Sequence, residues 1–168
     1  MILRGLVDED IVNYSKTSMY LIFPQCSFKC DKECGAQVCQ NSSLANAPIV
    51  EISPEAICER YLNNPITSAI VCGGLEPFDS RFDLLGLVDC LRRKYDCKDA
   101  FVIYTGYTEE ELNNSENIEQ HFIYTNICKY PNIIVKFGRF IPNQESHYDE
   151  VLGVKLASPN QYAKKVSQ

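Results

Sequence analysis

Short apolar runs broken by turn residues alternate along the chain with stretches whose apolar positions recur every three or four residues. Residues 18–23 (Ser18, Met19, Tyr20, Leu21, Ile22, Phe23) form the first run, and Pro24 ends it because proline cannot donate to a ladder. This predicts a first strand, followed by a loop that contains a group of cysteines. Ser53 is placed to cap a helix with Pro54 at its first position; Ala56, Ile57 and Tyr61 keep helical spacing, and Asn63-Asn64-Pro65 stops it. Residues 69–72 read as a buried second strand running into Gly73-Gly74, and residues 82–95 as a helix with Leu84, Leu85, Val88 and Leu91 on one face. A third strand, 100–104, runs into Thr105-Gly106-Tyr107. Thr108 caps a short acidic helix at 109–112, whose carboxylates suit the positive end of the helix dipole. Residues 132–137 predict a fourth strand. The tail from Gly138 reads mostly as loop, with one strand at 151–156.

Strands alternating with helices imply an α/β fold with a parallel sheet. In such sheets ligands collect at the carboxyl ends of the strands. The cysteine loop, the Gly-Gly loop and the Thr-Gly-Tyr loop each follow an expected strand, so all three should share one rim. The 168 residues suit a single domain, 1–168. A net charge of −6 argues against nucleic acid and anionic membrane surfaces as partners, since both need a positive face. No run approaches the ~20 apolar residues of a membrane span, and the N-terminal residues do not form a secretory signal. A cytoplasmic protein is expected.

Nine cysteines depart from average composition. Cys58, Cys72, Cys90, Cys97 and Cys128 are scattered and read as small hydrophobic residues. Cys26, Cys30, Cys34 and Cys39 fall in one loop, 24–43, with three, three and four residues between them. Soft thiolates in a reducing compartment select zinc or an iron–sulfur centre. The spacing alone leaves the two level.

A set of motifs extends the reading. Asp10-Ile11-Val12-Asn13 comes first, then the Leu21-Ile22-Phe23 strand leading to Cys26-x-x-x-Cys30, then Cys39-Gln40-Asn41-Ser42-Ser43. Gly73-Gly74-Leu75-Glu76-Pro77 and Tyr104-Thr105-Gly106-Tyr107 follow, the latter ahead of Glu109-Glu110-Glu111-Leu112. Gly138-Arg139-Phe140 and Ser158-Pro159-Asn160-Gln161 close the set. In this order, from Asp10 to Gln161, they resemble the radical S-adenosylmethionine (SAM) superfamily, in particular the activating proteins of anaerobic ribonucleotide reductases.

The resemblance implies an incomplete (β/α) barrel of radical SAM type and a [4Fe–4S] cluster on three cysteines. Cys26, Cys30 and Cys39 are the implied ligands, because the Asn41 signature follows Cys39; Cys34 is the competing third ligand. SAM is the implied second cofactor. Gly73 and Gly74 would let backbone approach its methionyl part, Glu76 beside Pro77 would meet its ammonium group, Thr105 and Gly106 would line its pocket, and Asn41 would orient the cluster loop. On the residues alone, Glu76 is equally an acidic turn, Thr105-Gly106 a strand-to-helix turn, and Arg139 a solvated surface cation. His121 and His147 lack a ligand-spaced partner. The chain departs from the family's pattern in its cysteine spacing, at Leu75 inside the Gly-Gly-Glu-Pro run, and at Phe137, where an acidic residue is usual. The implied activity is a glycyl-radical activase: an enzyme that cleaves SAM reductively and takes a hydrogen from a glycine of the reductase catalytic subunit, with reduced flavodoxin or ferredoxin as electron donor. Two alternatives remain: a radical SAM enzyme with another substrate, and a non-enzymatic four-cysteine zinc module.

Overall fold

The computed structural model describes residues 1–80 and 82–167. Among the described residues ten strands occur, in chain order β1 (Ile2–Leu3), β2 (Gly5–Asp10), β3 (Ser18–Phe23), β4 (Val50–Glu51), β5 (Ala69–Gly74), β6 (Ala100–Tyr104), β7 (Ile133–Phe137), β8 (His147–Asp149), β9 (Val154–Leu156) and β10 (Tyr162–Lys165). The helices are α1 (Lys29–Cys34), α2 (Pro54–Leu62), α3 (Phe82–Asp89), α4 (Glu109–Asn113) and α5 (Ile118–Ile127). Six strands form the main sheet in the order β10-β7-β6-β5-β3-β2. The four inner strands, β3, β5, β6 and β7, are parallel, and β2 and β10 run antiparallel at the edges.

Each inner strand passes to its immediate neighbour through a helical crossover, always in the same direction across the sheet. Crossovers of one hand then put the main crossover helices, α2, α3 and α5, on one face. Burial agrees. Ile57 and Tyr61 of α2, Leu84, Leu87 and Val88 of α3, and Ile123 and Ile127 of α5 share a core with Met19, Leu21, Ile70, Ile103, Val135 and Phe137. Alternate strand residues (Val71, Val102, Ile134) face the other way, into a smaller core closed by Tyr14, Leu152, Leu156 and Ala163. That second face is covered only in part, and it is where a cavity opens. The sheet is open: among the described residues β2 and β10 do not pair, so no closed barrel forms.

The expected elements from 18 to 137 are present, with three differences. The sheet is mixed, not wholly parallel. The cysteine loop contains a helical turn and a half, α1, which Gly35 ends in the left-handed conformation (φ 66°). The helix expected over 82–95 changes at Cys90 into a π-helical segment, Cys90–Lys94, and buried Arg92 there donates to the carbonyls of Cys97, Asp99 and Pro131. In the tail, residues 151–153 form a turn, and only 154–156 of the expected strand is extended, paired with β8. No helix among the described residues is long and apolar enough to cross a membrane.

Candidate metal centre and ligand pocket

A cavity of about 390 Å³ lies at the carboxyl ends of the four inner strands, on the face opposite the helices. Its size is that of a small-molecule site. The three loops expected on one rim all reach it: Cys26, Cys30, Cys39 and Asn41 from the loop after β3, Gly74, Leu75 and Glu76 from the loop after β5, and Thr105, Gly106 and Tyr107 from the loop after β6.

The cysteine loop is shaped by its own hydrogen bonds. Phe28, with φ at 51°, turns the chain so that its N–H donates to Cys26 Sγ at 3.2 Å. Asp31 Oδ1 accepts from the N–H groups of both Val38 and Cys39, each at 2.8 Å. The chain is thereby folded back, and Cys39 joins the pocket wall beside Cys26 and Cys30. Cys34, one turn further along α1, is exposed and outside the wall. Burial pushes the Cys26 thiol up to about 12, and burial with the neighbouring Cys39 pushes Cys30 up to about 11. A metal's charge reverses that preference, because a coordinating thiol is deprotonated outright. Among the described residues no set of three or more His, Cys, Asp or Glu side chains is gathered at metal-binding geometry. As a donor set, three thiols and no imidazole suit iron–sulfur chemistry.

Glu76 is the hub of the second and third loops. It is 6% exposed; Oε1 accepts from Phe78 N–H (3.1 Å) and from the Thr105 hydroxyl (2.8 Å), and Oε2 accepts from Gly106 N–H (2.8 Å). Burial outweighs these bonds and pushes its carboxyl up to about 7. Asn41 Nδ2 donates to the Gly74 carbonyl at 2.8 Å and ties the cysteine loop to the same hub. A second tie is Asp79, which accepts from Ser27 N–H at 2.8 Å and from the Tyr107 hydroxyl at 2.6 Å.

The two glycines owe their identity to packing within the sheet. A Cβ on Gly73 would stand 2.9 Å from the Tyr20 hydroxyl, and one on Gly74 (φ 82°) would stand 2.5 Å from Ile22 Cγ2. Gly73 does not line the cavity; Gly74 does. Gly74→Ala is expected to destabilise the protein by about 2 kcal/mol or more, from a left-handed non-glycine residue plus overpacking. A urea midpoint equal to that of the unaltered protein would contradict this. Pro77 is buried outside the cavity and opens a 3-10 turn, Pro77–Asp79.

Arg139 departs from the solvated cation its sequence context suggested. Its side chain is only 10% exposed, with Nη2 on Glu111 Oε1 at 2.6 Å and Nε 3.2 Å from Glu33. Lys29 joins from α1, 3.4 Å from Glu111 and 4.2 Å from the centre of the Tyr107 ring. Burial alone would raise the Glu111 carboxyl, but Arg139, the Thr108 N–H and Lys29 hold it down to about 2. Its folded-state pKa lies below the ordinary 4.5, so its stabilising effect is complete above that pH and is lost as pH falls towards 2. Glu111→Gln is therefore expected to flatten the acid limb of a urea-midpoint profile below about pH 4.5, and an unchanged limb would contradict the pairing.

Lys136, Asp31, Asp79 and Lys29 belong to the site outside any motif, and Glu111, from the Glu-Glu-Glu-Leu motif, joins it through Arg139. His121 is structural, its Nδ1 bonded to the Leu112 carbonyl at 2.9 Å. The scattered cysteines are buried or half-buried and free, away from the cavity.

Residues 16–158, well over half of the chain, match the family model described as a 4Fe–4S single cluster domain. The chain belongs to that family. No curated protein and no solved structure matches it. As a 4Fe–4S single cluster domain it is an iron–sulfur protein, and the level choice between zinc and iron–sulfur left by cysteine spacing falls to iron–sulfur. A 4Fe–4S single cluster domain is compatible with oxidoreductase chemistry.

Proposed function

We propose that the protein is a radical SAM glycyl-radical activase, with a [4Fe–4S] cluster on Cys26, Cys30 and Cys39, SAM in the adjoining cavity, and a glycine of an anaerobic ribonucleotide reductase as the hydrogen donor. The observation that carries this reading is the meeting of three thiols with the Gly74–Glu76 and Thr105–Gly106 loops around one cavity, while Cys34 stays outside it. Cys26, Cys30 and Cys39 would hold the cluster, which when bound would supply the electron for reductive cleavage of SAM and so the hydrogen abstraction from glycine.

The chain's own part is binding, orientation and exclusion of water. Asn41 holds the cysteine loop against the Gly74 carbonyl. Glu76 presents a buried carboxylate towards an ammonium group, its orientation fixed by three donors on two loops. Thr105 and Gly106 are held in turn by that carboxylate. The four parallel strands in sequential order, with α2, α3 and α5 packed on one face, support an incomplete barrel of radical SAM type, and the partly covered second face suits a macromolecular substrate. Reduced flavodoxin or ferredoxin is the proposed electron donor, and the cytoplasm the proposed compartment.

The test is to mix anaerobic, reduced, iron-loaded protein with SAM and the reductase subunit, then record EPR spectra and assay 5′-deoxyadenosine. A glycyl radical on the reductase is expected. SAM cleavage without that radical would point to another radical SAM substrate. A colourless protein with stoichiometric zinc and no cleavage would leave the non-enzymatic zinc module.

A further inference from the structure

Strand β7 carries a charge that the proposed reaction leaves without a task. All five of its residues are buried, and Ile133, Val135 and Phe137 pack beneath the helices. Alternation along the strand turns Lys136 to the opposite face, where it lines the cavity although the residue is only 6% exposed. Its Nζ donates to the Gly138 carbonyl at 2.8 Å and, weakly, to the Thr105 carbonyl at 3.4 Å. The Tyr104 ring centre is 5.9 Å away. Among the described residues no carboxylate forms an ion pair with it. The carboxylate whose charge reaches it, Glu76, already has both oxygens engaged by Phe78, Thr105 and Gly106.

An ammonium has three N–H donors, and here only two are used, one of them at the limit of a hydrogen bond. A buried cation without a counter-charge is costly, so proteins that keep one usually supply the anion in another state. Burial lowers its pKa to about 8, against an upward pull from Glu76. The backbone carbonyls of Thr105 and Gly138 fix the position of Nζ but cannot neutralise it. An anion entering the cavity can.

We propose that Lys136 is the anion anchor of the cavity, giving its unused N–H to a carboxylate oxygen of the bound ligand. The assignment of that carboxylate rests on the function proposed above: SAM contains an adenosine, a sulfonium, an ammonium and a carboxylate, and the carboxylate is its sole anionic group. Lys136 then adds, beside the cluster and Glu76, to the cavity's preference for SAM over nucleosides and thioethers lacking the amino-acid end.

Equilibrium binding to the anaerobic, iron-loaded protein tests this with three probes: SAM, decarboxylated SAM and 5′-methylthioadenosine. Lys136→Met is expected to weaken SAM by about 10- to 100-fold, the usual effect of losing a hydrogen bond to a charged group, and to leave the other two probes within about threefold. Lys136→Arg should restore part of the SAM affinity. Lys136→Met should also melt no lower than the unaltered protein, since it removes an unpaired buried charge, and retained 5′-methylthioadenosine binding confirms a folded cavity. Unchanged SAM affinity in Lys136→Met, or an equal loss for all three probes, would overturn the anchor while leaving the proposed function standing. Failure of the unaltered protein to bind SAM would overturn the proposed function and the anchor with it.

Discussion

Replacing Cys26, Cys30 or Cys39 singly by alanine is expected to abolish the iron–sulfur cluster, whereas Cys34→Ala should keep it. A four-iron cluster with one open iron has three protein ligands, so no spare thiol stands by inside the site when one is lost. Three of the four clustered thiols line the cavity wall, and the fourth is exposed on the outer side of α1. The distinction rests on Asp31, whose carboxylate draws the Val38 and Cys39 N–H groups back over the loop. Without that return, Cys39 would be five residues past the last ligand-spaced thiol and free to point anywhere. The measurement is iron and sulfide per chain after anaerobic reconstitution. About four irons are expected in Cys34→Ala and background iron in the other three. Cluster loss in Cys34→Ala with retention in Cys39→Ala would exchange the two residues' roles. A modest loss in both would mean that Cys34 and Cys39 compete for the same iron.

Glu76→Leu is expected to be the most damaging substitution outside the cysteine loop. It strands the Phe78 N–H, the Thr105 hydroxyl and the Gly106 N–H in a buried site. Each unsatisfied buried donor costs about 1–3 kcal/mol, so the sum is about 3 kcal/mol or more, partly offset by removal of a carboxylate that burial disfavours. For a chain of this size that corresponds to a fall of about 6–12 °C in melting temperature. The loops after β5 and β6 lose their common fastening, so the SAM binding proposed above should fall with stability. Glu76→Gln keeps an acceptor for part of the set and should lie between. A melting temperature for Glu76→Leu within a degree or so of the unaltered protein would show that the three donors find other partners, and that Glu76 does not hold the rim together.

Much of this architecture was legible because local signals and tertiary demands agree. Ser53 and Pro54 start α2, and the Ser53 side chain accepts from Ala56 N–H as a cap should. Thr108 and Glu111 form a reciprocal capping box at the start of α4. The inner strands read as continuous apolar runs because they are buried on both faces. The elements that escaped notice lack those signals. Strand β2, Gly5–Asp10, is an edge strand ending in three acidic residues, with the partly exposed pattern that edges tolerate. Helix α5 buries Ile123, Tyr124 and Ile127 but carries exposed Ile118 and Phe122 as well, so no stripe stands out. Strand β10 exposes three of its four residues and is held by pairing with β7.

The site divides in the same way. The motifs that carry the family resemblance are sequence-local, so Cys26, Cys30, Cys39, Asn41, Glu76, Thr105 and Gly106 could be named through it before any fold was known, and all of them line the cavity. Gly73 and Gly74 carry a second constraint that the sequence does not announce, because Tyr20 and Ile22 on the neighbouring strand leave no room for a side chain there. Lys136 and Asp79 depend on contacts between distant segments, such as Tyr107 with Asp79, and nothing local announces them; Glu111 has a local capping role, but its pairing with Arg139 is not local. Arg139 was misjudged for the same reason: its two acidic partners come from α1 and α4, one more than a hundred residues earlier.

The most direct test of the central claim is the EPR spectrum of the reduced, iron-loaded protein recorded with and without SAM. A cluster on Cys26, Cys30 and Cys39 with an open iron facing the cavity should give a reduced-cluster signal whose g-values shift when SAM is added. A signal from about four irons per chain that SAM leaves unchanged would contradict the account, because a cluster closed by four protein ligands has no iron to offer.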